Sequence, residues 1–282
     1  MTFAHTQKAV FIGYPTLDYV ASTAVPLRGH GTVAARLHTQ SDWPRPGGAV
    51  LYAAARLALA GHVAMPLIQL GDDAAGDVFV AACQAAGLNV DGIIRAPGTR
   101  SPSCILIHHD SGGYSCLLDT DGLSTTGLTP GQTAFAAAAD LVVIAAGAPK
   151  AAEAALAVVQ PHQNVAWIVK DDPACFPPYL RERLSRRADL VFHNRSERGL
   201  IAGGLARQIR AETLGAEGAV VHTATATTSI TAEPLMVADA TGAGDTLAGE
   251  FLAHWLGGER DPIAACQAGV AAARALLATR GC

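Results

Sequence analysis

A run of small residues near the C-terminal end of the chain has the composition of an anion-binding turn. Residues 239–246, with the sequence DATGAGDT, precede apolar residues at helical spacing and therefore predict a turn that opens into a helix. Such a turn leaves backbone N–H groups unpaired, with the positive end of the helix dipole behind them. Because Gly242, Ala243 and Gly244 carry almost no side chain, a phosphate could approach this backbone closely. The Asp245 carboxylate would lie beside that phosphate and could accept the proton of an attacking hydroxyl, which suits phosphoryl transfer.

The same run has a purely structural interpretation, because glycines before a helix are common and an aspartate in a first helical turn complements the helix dipole. The whole pattern Asp-x-Thr-Gly-Ala-Gly-Asp, however, resembles the C-terminal signature of the ribokinase-like (PfkB) family of carbohydrate and nucleoside kinases. In that family the final aspartate is the catalytic base and the Gly-Ala-Gly amides form the anion hole. The resemblance therefore implies a catalytic role for Asp245 and an anion-binding role for Gly242, Ala243 and Gly244.

The bulk composition is that of a folded protein without a nucleic-acid-binding surface. Of the 282 residues, 50% are hydrophobic and 16% are charged, which favours a sizeable core, and the net charge of −4 disfavours a nucleic-acid partner. The six cysteines show no C-x-x-C spacing, which suits buried thiols in a reducing cytoplasm better than a disulfide framework or a zinc site. The apolar run at 9–13 is too short for a signal peptide or a membrane span. A cytoplasmic protein with no membrane partner is expected.

A carboxylate near the N-terminus is a candidate substrate ligand. Residues 8–13 predict a buried first strand, and Asp18 follows it at the place where α/β proteins bind ligands. An aspartate that only ends a strand or caps a turn fits the sequence equally well. The family resemblance implies that Asp18 holds substrate hydroxyls.

A block of glycines after Asp18 resembles the N-terminal signature of the same family over roughly fifty residues. It begins with Gly47 and Gly48, before a predicted helix at 49–59, and continues with Gly61, Gly71-Asp72-Asp73, Gly76 and Gly87. The resemblance implies that the backbone amides of Gly47 and Gly48 face the substrate. Many members carry an asparagine five residues after the first glycine, where this chain has Tyr52, whose ring could stack on a ligand or close off the site.

Helix and strand patterns alternate along the rest of the chain, which predicts an α/β fold with a doubly wound, mostly parallel sheet and helices on both faces. One domain spanning 1–282 is expected, and the resemblance adds a small β lid with strands from about 14–45 and 95–120. Within the lid, runs at 103–109 and 114–119 predict a hairpin. Further strands are predicted at 63–70, 90–94, 141–145, 165–169, 189–192, 219–223 and 227–231. Further helices are predicted at 74–86, 131–139, 151–159, 178–187, 247–256 and 262–277.

Asn194 and Glu197 directly follow a predicted strand and match the Asn-x-x-Glu element of the family. The resemblance implies that they organise the nucleotide phosphates, with Glu197 binding Mg²⁺ indirectly through water. A carboxylate acting through water is an ordinary way for a protein to hold this ion. The same spacing also fits a helix capping box, and both interpretations can hold at once.

Besides Tyr52, several positions depart from the family pattern. Relatives usually show Thr-x-Gly-x-x-Gly after the strand predicted at 219–223, with the glycines under the nucleotide. Thr223 matches the threonine and is the predicted nucleotide-binding residue, but no glycine follows it in residues 224–228. Gly147 replaces a glutamate that contacts substrate in some relatives, and Tyr114 replaces an arginine common in the lid. His108 and His109, as successive strand residues, face opposite sides, so a structural role is expected rather than a shared metal ion.

The resemblance covers nearly the whole chain and implies an ATP- and Mg²⁺-dependent kinase acting on a hydroxyl of a small sugar, polyol or nucleoside. Lid-mediated dimers occur in the family, which makes a homodimer one option. The alternative is a kinase-fold protein that binds a sugar or nucleoside without efficient phosphoryl transfer, which the lost glycines after Thr223 and the changed Tyr52 and Gly147 favour. A dinucleotide-dependent oxidoreductase is disfavoured because no Gly-x-Gly-x-x-Gly follows the first strand, and a Walker-type NTPase because no Gly-Lys-Ser/Thr occurs.

Overall fold

A computed structural model of the chain describes residues 6–27, 30–38, 43–110, 113–203, 208–235, 237, 239–258 and 260–280. The strands are β1 (Lys8–Ile12), β2 (Thr16–Thr23), β3 (Ala35–Leu37), β4 (Arg45–Gly47), β5 (Val63–Pro66), β6 (Ile68–Gly71), β7 (Ile93–Ala96), β8 (Ser103–His109), β9 (Tyr114–Asp119), β10 (Leu141–Ile144), β11 (Asn164–Ile168), β12 (Leu190–Asn194), β13 (Ile209–Thr213), β14 (Ala219–His222) and β15 (Thr227–Ile230). The α-helices are α1 (Ala49–Leu59), α2 (Ala74–Ala85), α3 (Pro130–Ala137), α4 (Pro149–Val158), α5 (Pro178–Arg187), α6 (Ala243–Leu256) and α7 (Pro262–Ala278).

The main sheet has eight strands in the order β15-β14-β13-β12-β11-β10-β1-β5. From β5 to β13 all neighbours are parallel, whereas β14 and β15 are antiparallel additions at one edge. The central strands are short apolar runs, and every residue of β10 is buried, as expected for strands covered on both faces. Helices α1, α2, α6 and α7 pack on one face and α3, α4 and α5 on the other. The predicted doubly wound, mostly parallel sheet is confirmed.

A second sheet forms the predicted lid. Its path is β3-β2-β8-β9, with β4 also paired to β2. Alternate side chains of β2 and β8 point to opposite faces of this sheet, so Asp18 and its parallel register partner Cys104 share one face. Val20, Leu106 and Cys104 are buried on that face against Leu118. The lid therefore carries Asp18 toward the main sheet.

Two parts of the strand prediction were wrong. The strand predicted at 63–70 is two strands, because β5 pairs with β1 in the main sheet while β6 leaves it to pair with β7, which begins at Ile93 rather than at residue 90. Strand β13 was not predicted at all. Its sequence IRAET places Arg210 and Glu212 among apolar residues, and the buried Glu212 is paired with Arg198 at 2.6 Å.

Helices α1 and α6 pack closely although they lie far apart in the sequence. Gly249 of α6 lies so near the backbone of Ala53 in α1 that a Cβ at Gly249 would collide with it. Arg56 and Glu250 form an ion pair at 2.7 Å across the same contact, 194 residues apart in the chain. This packing fixes the N-terminus of α6 beside the N-terminus of α1. In the described part of the chain, no helix is both long and apolar enough to cross a membrane.

Candidate active site

The turn at 239–242 ends in a glycine that no other residue could replace without rearrangement. Gly242 is the residue before α6 and has a left-handed backbone with φ of 76°. A Cβ on Gly242 would lie 2.7 Å from the ring of Tyr52, so both the backbone angle and the available space require glycine. The first turn of α6 then consists of Ala243, Gly244 and Asp245. The predicted anion-binding run is thus an ordered turn that leads directly into a helix.

The amides of this turn are partly unpaired. The Ala243 N–H donates to the Ala240 carbonyl at 3.2 Å, so this amide is already used within the turn. Among the described residues, the amides of Gly242 and Gly244 have no acceptor, and a Cβ at Gly244 would meet no atom within 4 Å. Free N–H groups at the start of a 14-residue helix are the structural requirement for binding an anion.

Asp239 anchors the turn through a network of positive groups. Its Oδ2 lies 2.8 Å from Arg45 Nη2 on the lid and 3.6 Å from Arg280 Nη1, two residues beyond α7. Its Oδ1 accepts from the Thr241 N–H at 2.9 Å and lies 3.3 Å from His108 Nε2. Burial alone would raise the pKa of Asp239, but these hydrogen bonds and the Arg45 charge lower it well below its ordinary value. Asp239 is therefore ionised, and it joins the lid, the turn and the C-terminal helix.

Asp18 faces the same region from the lid and is only 3% exposed. Burial raises its pKa to about 6, against the hydrogen bond from Thr16 and the charge of Arg45, while Asp245 and Asp239 raise it further. The paired glycines make room for this carboxylate, because a Cβ at Gly47 would collide with Asp18 Oδ2. Asp18 and Gly47 therefore lie in direct contact.

Tyr52 is held between the turn and an arginine. Its hydroxyl accepts from Arg280 Nη2 at 3.1 Å, and the guanidinium lies 5.7 Å from the ring centroid. Arg280 also donates to the Thr241 carbonyl, so one side chain holds both the ring and the turn. Burial raises the pKa of the Tyr52 phenol, which keeps it neutral. The aromatic ring that replaces the family's asparagine thus supports the anion-binding turn.

Lys170 is a charged residue of the site that sequence reasoning missed. It follows β11 at the carboxyl edge of the sheet, and its Nζ lies 4.8 Å from the ring centroid of Tyr114 on the lid. No carboxylate of the described residues lies within ion-pair distance of it, yet its charge acts on both Asp245 and Glu197. Burial raises the pKa of Asp245 and Lys170 opposes that rise. Its position two residues after an apolar strand, directly before Asp171 and Asp172, is the sequence signal that could have identified it.

Asn194 and Glu197 occupy the end of β12 and the turn after it. The Asn194 N–H donates to Glu197 Oε2 at 2.8 Å, and the Glu197 N–H donates to Asn194 Oδ1 at 3.0 Å, so the reciprocal pair of the capping interpretation is formed. Burial raises the pKa of Glu197, while the Asn194 amide and Lys170 oppose the rise. In the described ranges no three potential ligands cluster to hold a metal directly. Asn194 and Glu197 therefore suit a Mg²⁺ ion that keeps its water ligands and is contacted by Glu197 through those waters.

The structure does not bring Thr223 to this site. Because β14 runs antiparallel to β13, its C-terminal end lies opposite Arg210, at the far edge of the sheet from Asn194. The Thr223 hydroxyl instead accepts from the Ala226 N–H at 3.0 Å and closes the turn between β14 and β15. The placement of the family's threonine at position 223 is therefore not supported by the geometry.

A complete Thr-x-Gly-x-x-Gly run lies beside Asn194 instead. Residues 213–218, TLGAEG, read Thr-x-Gly-x-x-Gly and follow β13, which is parallel to β12 with Thr213 opposite Asn194. Gly215 has φ of 62° and open space around its α-carbon, and Gly218 approaches the Ile230 carbonyl so closely that a Cβ would collide with it. Gly215 and Gly218 thus have the spacing of the family's two glycines, ten residues before the positions where the sequence prediction expected them. The difference arises because the preceding strand, β13, was not predicted.

The structure also accounts for Gly147 and separates the two neighbouring histidines. A Cβ on Gly147 would lie 2.7 Å from the α-carbon of Gly13, so the ends of β1 and β10 touch and no glutamate could stand there unchanged. The two histidines do face opposite sides of β8. His108 contacts Thr241 Oγ1 at 3.1 Å, whereas His109 bonds to Thr23 and Ser115. His108 thus joins the turn from the lid.

Comparison with known proteins agrees with this architecture. A model of the pfkB family carbohydrate kinase matches residues 29–282. An adenosine kinase from Sinorhizobium meliloti is 21% identical with a TM-score of 0.75, covering 97% of this chain and 94% of that chain. A Burkholderia thailandensis nucleoside kinase in complex with inosine is 16% identical with a TM-score of 0.78, covering 96% and 90%. A Cryptococcus neoformans ribokinase in complex with ADP is 20% identical with a TM-score of 0.79, covering 95% and 93%. At these identities the likeness establishes the fold, and a comparison with curated proteins finds no match.

Proposed function

This chain belongs to the pfkB family of carbohydrate kinases, and we propose that it transfers a phosphoryl group from ATP to a hydroxyl of a small sugar, polyol or nucleoside. One observation carries the proposal. Asp245 lies in the first turn of α6, directly after the unpaired amides of Gly242 and Gly244. A proton acceptor and an anion-binding backbone are therefore adjacent, which is the combination that phosphoryl transfer needs.

In this proposal Asp245 accepts the proton of the substrate hydroxyl as the hydroxyl oxygen attacks phosphorus. The amides of Gly242 and Gly244 donate to the oxygens of the transferring group, and each well-placed donor of this kind is worth about 3–4 kcal/mol. Ala243 supplies the small side chain between them, with its own amide held by the turn. Lys170 opposes the effect of burial on Asp245 and helps to keep the base ionised.

The nucleotide would lie along the carboxyl ends of β12 and β13. Asn194 and Glu197 would serve its phosphates and water-bound Mg²⁺, an ion that neutralises charge on the phosphates when bound. Gly215, with an exposed backbone at positive φ, would contact the nucleotide where a side chain would interfere. These positions replace Thr223 in the proposed nucleotide site, because β14 carries Thr223 to the opposite edge.

The substrate side favours a neutral, hydroxyl-rich compound. Asp18 and the paired glycines Gly47 and Gly48 offer an acceptor and backbone groups, while Arg45 is committed to Asp239. Arg100 is committed to Asp119 and Asp121 on the lid surface. With these cations already paired, a sugar phosphate is disfavoured. The adenosine and inosine in the names of two similar structures place nucleosides first in a substrate screen.

A cytoplasmic location and a homodimer remain part of the proposal. The lid face turned away from Asp18 exposes Leu37, Ile105 and Leu117, each more than 40% accessible. An apolar sheet face of this kind would be covered if two lids met, which supports the dimer.

A coupled ADP-release screen over nucleosides, sugars and polyols, with Mg²⁺ and ATP, tests the proposal. Wild-type protein should turn over at least one neutral substrate and the Asp245→Asn variant should not. The second candidate, a protein that binds such a compound without phosphorylating it, is favoured by Gly147, which stands where some relatives carry a substrate-contacting glutamate and has no room for one. Calorimetric titration with ATP distinguishes the two, since a binding protein without kinase activity would show no ATP affinity.

A further inference from the structure

Two cysteines of the lid approach each other across neighbouring strands. Cys104 Sγ on β8 lies 3.1 Å from Cys116 Sγ on β9. In the antiparallel register Cys104 is opposite Leu118 and Cys116 is opposite Leu106, so the cysteines are diagonal neighbours on one face of the hairpin. A disulfide bond is about 2.05 Å long, so the sulfur atoms would need to approach by about 1 Å. Because diagonal residues lie about 7–8 Å apart in a regular ladder, closing the bond would also pull the two strands together.

The pair lies on the lid face that carries Asp18. Cys104 is the parallel register partner of Asp18 in β2, and the Asp18 charge acts on both thiols. Cys104 is buried, whereas Cys116 is exposed and can be reached by a small oxidant. A change in the geometry of this pair is therefore transmitted directly to the strand that holds Asp18.

The two thiols have different reactivities. The hydrogen bond from Cys104 lowers the pKa of Cys116, and the Lys170 charge lowers it further against burial and the nearby carboxylates Asp18 and Asp172. The same contact raises the pKa of Cys104. Since the thiolate is the reactive form, Cys116 is the nucleophile and Cys104 is positioned to resolve the product.

The remaining described cysteines are controls within the same chain. Cys83, Cys175 and Cys266 are buried, and burial raises the pKa of each thiol above its ordinary value. Buried thiols of this kind are slow to oxidise. The reaction is therefore expected at one pair only.

We propose that Cys104 and Cys116 form a peroxide-sensitive dithiol site whose conversion to a disulfide distorts the lid and lowers activity at the adjacent Asp18 site. In the first step the Cys116 thiolate attacks one peroxide oxygen, the O–O bond breaks, a sulfenic acid forms and hydroxide leaves, which takes a proton from solvent and becomes water. In the second, the Cys104 sulfur attacks the Cys116 sulfur, hydroxide leaves and takes the Cys104 proton, and a second water forms. Both sulfurs are oxidised and both peroxide oxygens are reduced to water.

The chemistry is tested on the full chain with hydrogen peroxide alone. After treatment, free thiols are alkylated and the protein is digested without reductant. We expect the intact mass, taken before alkylation, to fall by the two hydrogens lost, and the digest to contain the Cys104 and Cys116 peptides linked. Cys104→Ser should leave a sulfenic acid at Cys116 that dimedone traps, Cys116→Ser should form no link, and Cys266→Ser should behave as wild type. No linked peptide, or faster oxidation of Cys83, Cys175 or Cys266, would overturn the proposed site.

The effect on activity rests on the proposed kinase function, and the linked peptide does not. Oxidised wild type should lose most of its ADP release and recover it with dithiothreitol, while Cys116→Ser should keep its own untreated rate under peroxide. A linked peptide with unchanged turnover would overturn the activity effect and leave the dithiol site in place. If untreated protein releases no ADP with any substrate, the kinase proposal fails, and the peptide map still decides the disulfide.

Discussion

Arg45 on the lid and Asp239 at the start of the anion-binding turn form an ion pair, with 2.8 Å between Arg45 Nη2 and Asp239 Oδ2. Their side chains are 21% and 6% exposed, so the pair is largely removed from water. Through it the lid and the turn are held together by charge as well as by packing. The lid position is thus coupled to the backbone that would bind the phosphoryl group.

Removing one member of this pair should cost more than removing a surface pair from the same lid. Arg45→Met leaves Asp239 with fewer partners in a buried setting, and breaking a buried pair typically costs about 3–5 kcal/mol. Arg100→Met removes an arginine that is 69% exposed and should cost about 0–1 kcal/mol. Urea unfolding of the two variants measures the difference. Equal losses would show that Arg45 contributes no more than a surface charge.

Asp245→Asn should lower kcat by about 10²–10⁴-fold, the usual contribution of a general base, without loss of unfolding free energy, because the burial that raises the pKa of Asp245 favours a neutral side chain. The matched control is Asp77→Asn, which alters an acidic residue in the first turn of α2. That variant should retain wild-type turnover, because Asp77 pairs with Arg95 on the surface. Steady-state kinetics with the substrate found in the screen gives the comparison, and near wild-type turnover of Asp245→Asn would exclude it as the base.

Lys170→Met should move the acidic limb of the kcat/KM profile to higher pH. Burial raises the pKa of Asp245, and Lys170 is the charge that opposes this rise, so its loss lets the pKa increase further. The base would then be protonated, and inactive, over a wider acidic range. Lys170→Arg should keep the limb near its wild-type position. A profile that falls in height without shifting would mean that Lys170 does not act on the base.

Asp18→Asn should make the protein more stable at pH 8 and less active. The pKa of Asp18 rises from 3.8 in the unfolded reference to about 6 in the fold, chiefly because burial disfavours the charged form; Asp245 and Asp239 add to the rise, and Thr16 and Arg45 oppose it. The folded state therefore binds the proton more tightly, and stability is lost as pH rises from about 4 through 6. At pH 8 the asparagine variant should gain about 2–3 kcal/mol, and near pH 4 the gain should disappear. Urea unfolding at both pH values tests this, and a stability gain of the same size at pH 4 would contradict it.

Nucleotide affinity distinguishes the predicted nucleotide site at Thr223 from the proposed one at Gly215. Gly215→Asn places a side chain in the open space beside the proposed nucleotide while keeping a residue that tolerates positive φ. Calorimetric titration should show ATP binding weakened at least tenfold, on the order of the 1.4 kcal/mol that one lost contact can cost. Thr223→Val alters only the β14–β15 turn and should leave ATP affinity unchanged. Weakened binding in Thr223→Val alone would restore the original assignment.

The bounds of a helix or strand could be predicted from the sequence where its hydrophobic pattern is regular. The apolar run of β10 and the Gly48-led start of α1 were predicted nearly to the residue. The turn before α6 was recognised, but α6 begins at Ala243, four residues before the predicted start of the helix. The sequence could not show β13, because Glu212 is buried through its pairing with Arg198, which is a tertiary contact. That single omission shifted the nucleotide motif by ten residues. Nor could it show that Lys170 and His108 reach the site, since each arrives from a different sheet.

The close packing of α1 on α6 has a consequence for synthesis of the protein. Arg45 and Asp239, like Arg56 and Glu250, are 194 residues apart, so both contacts must wait until most of the chain has left the ribosome. A nascent chain ending before residue 239 would contain Asp18, Gly47 and Gly48 but would lack the turn that completes their surroundings. Until then the side of α1 at Tyr52, Ala53 and Arg56 would lack the helix it packs on and would stay open to other contacts.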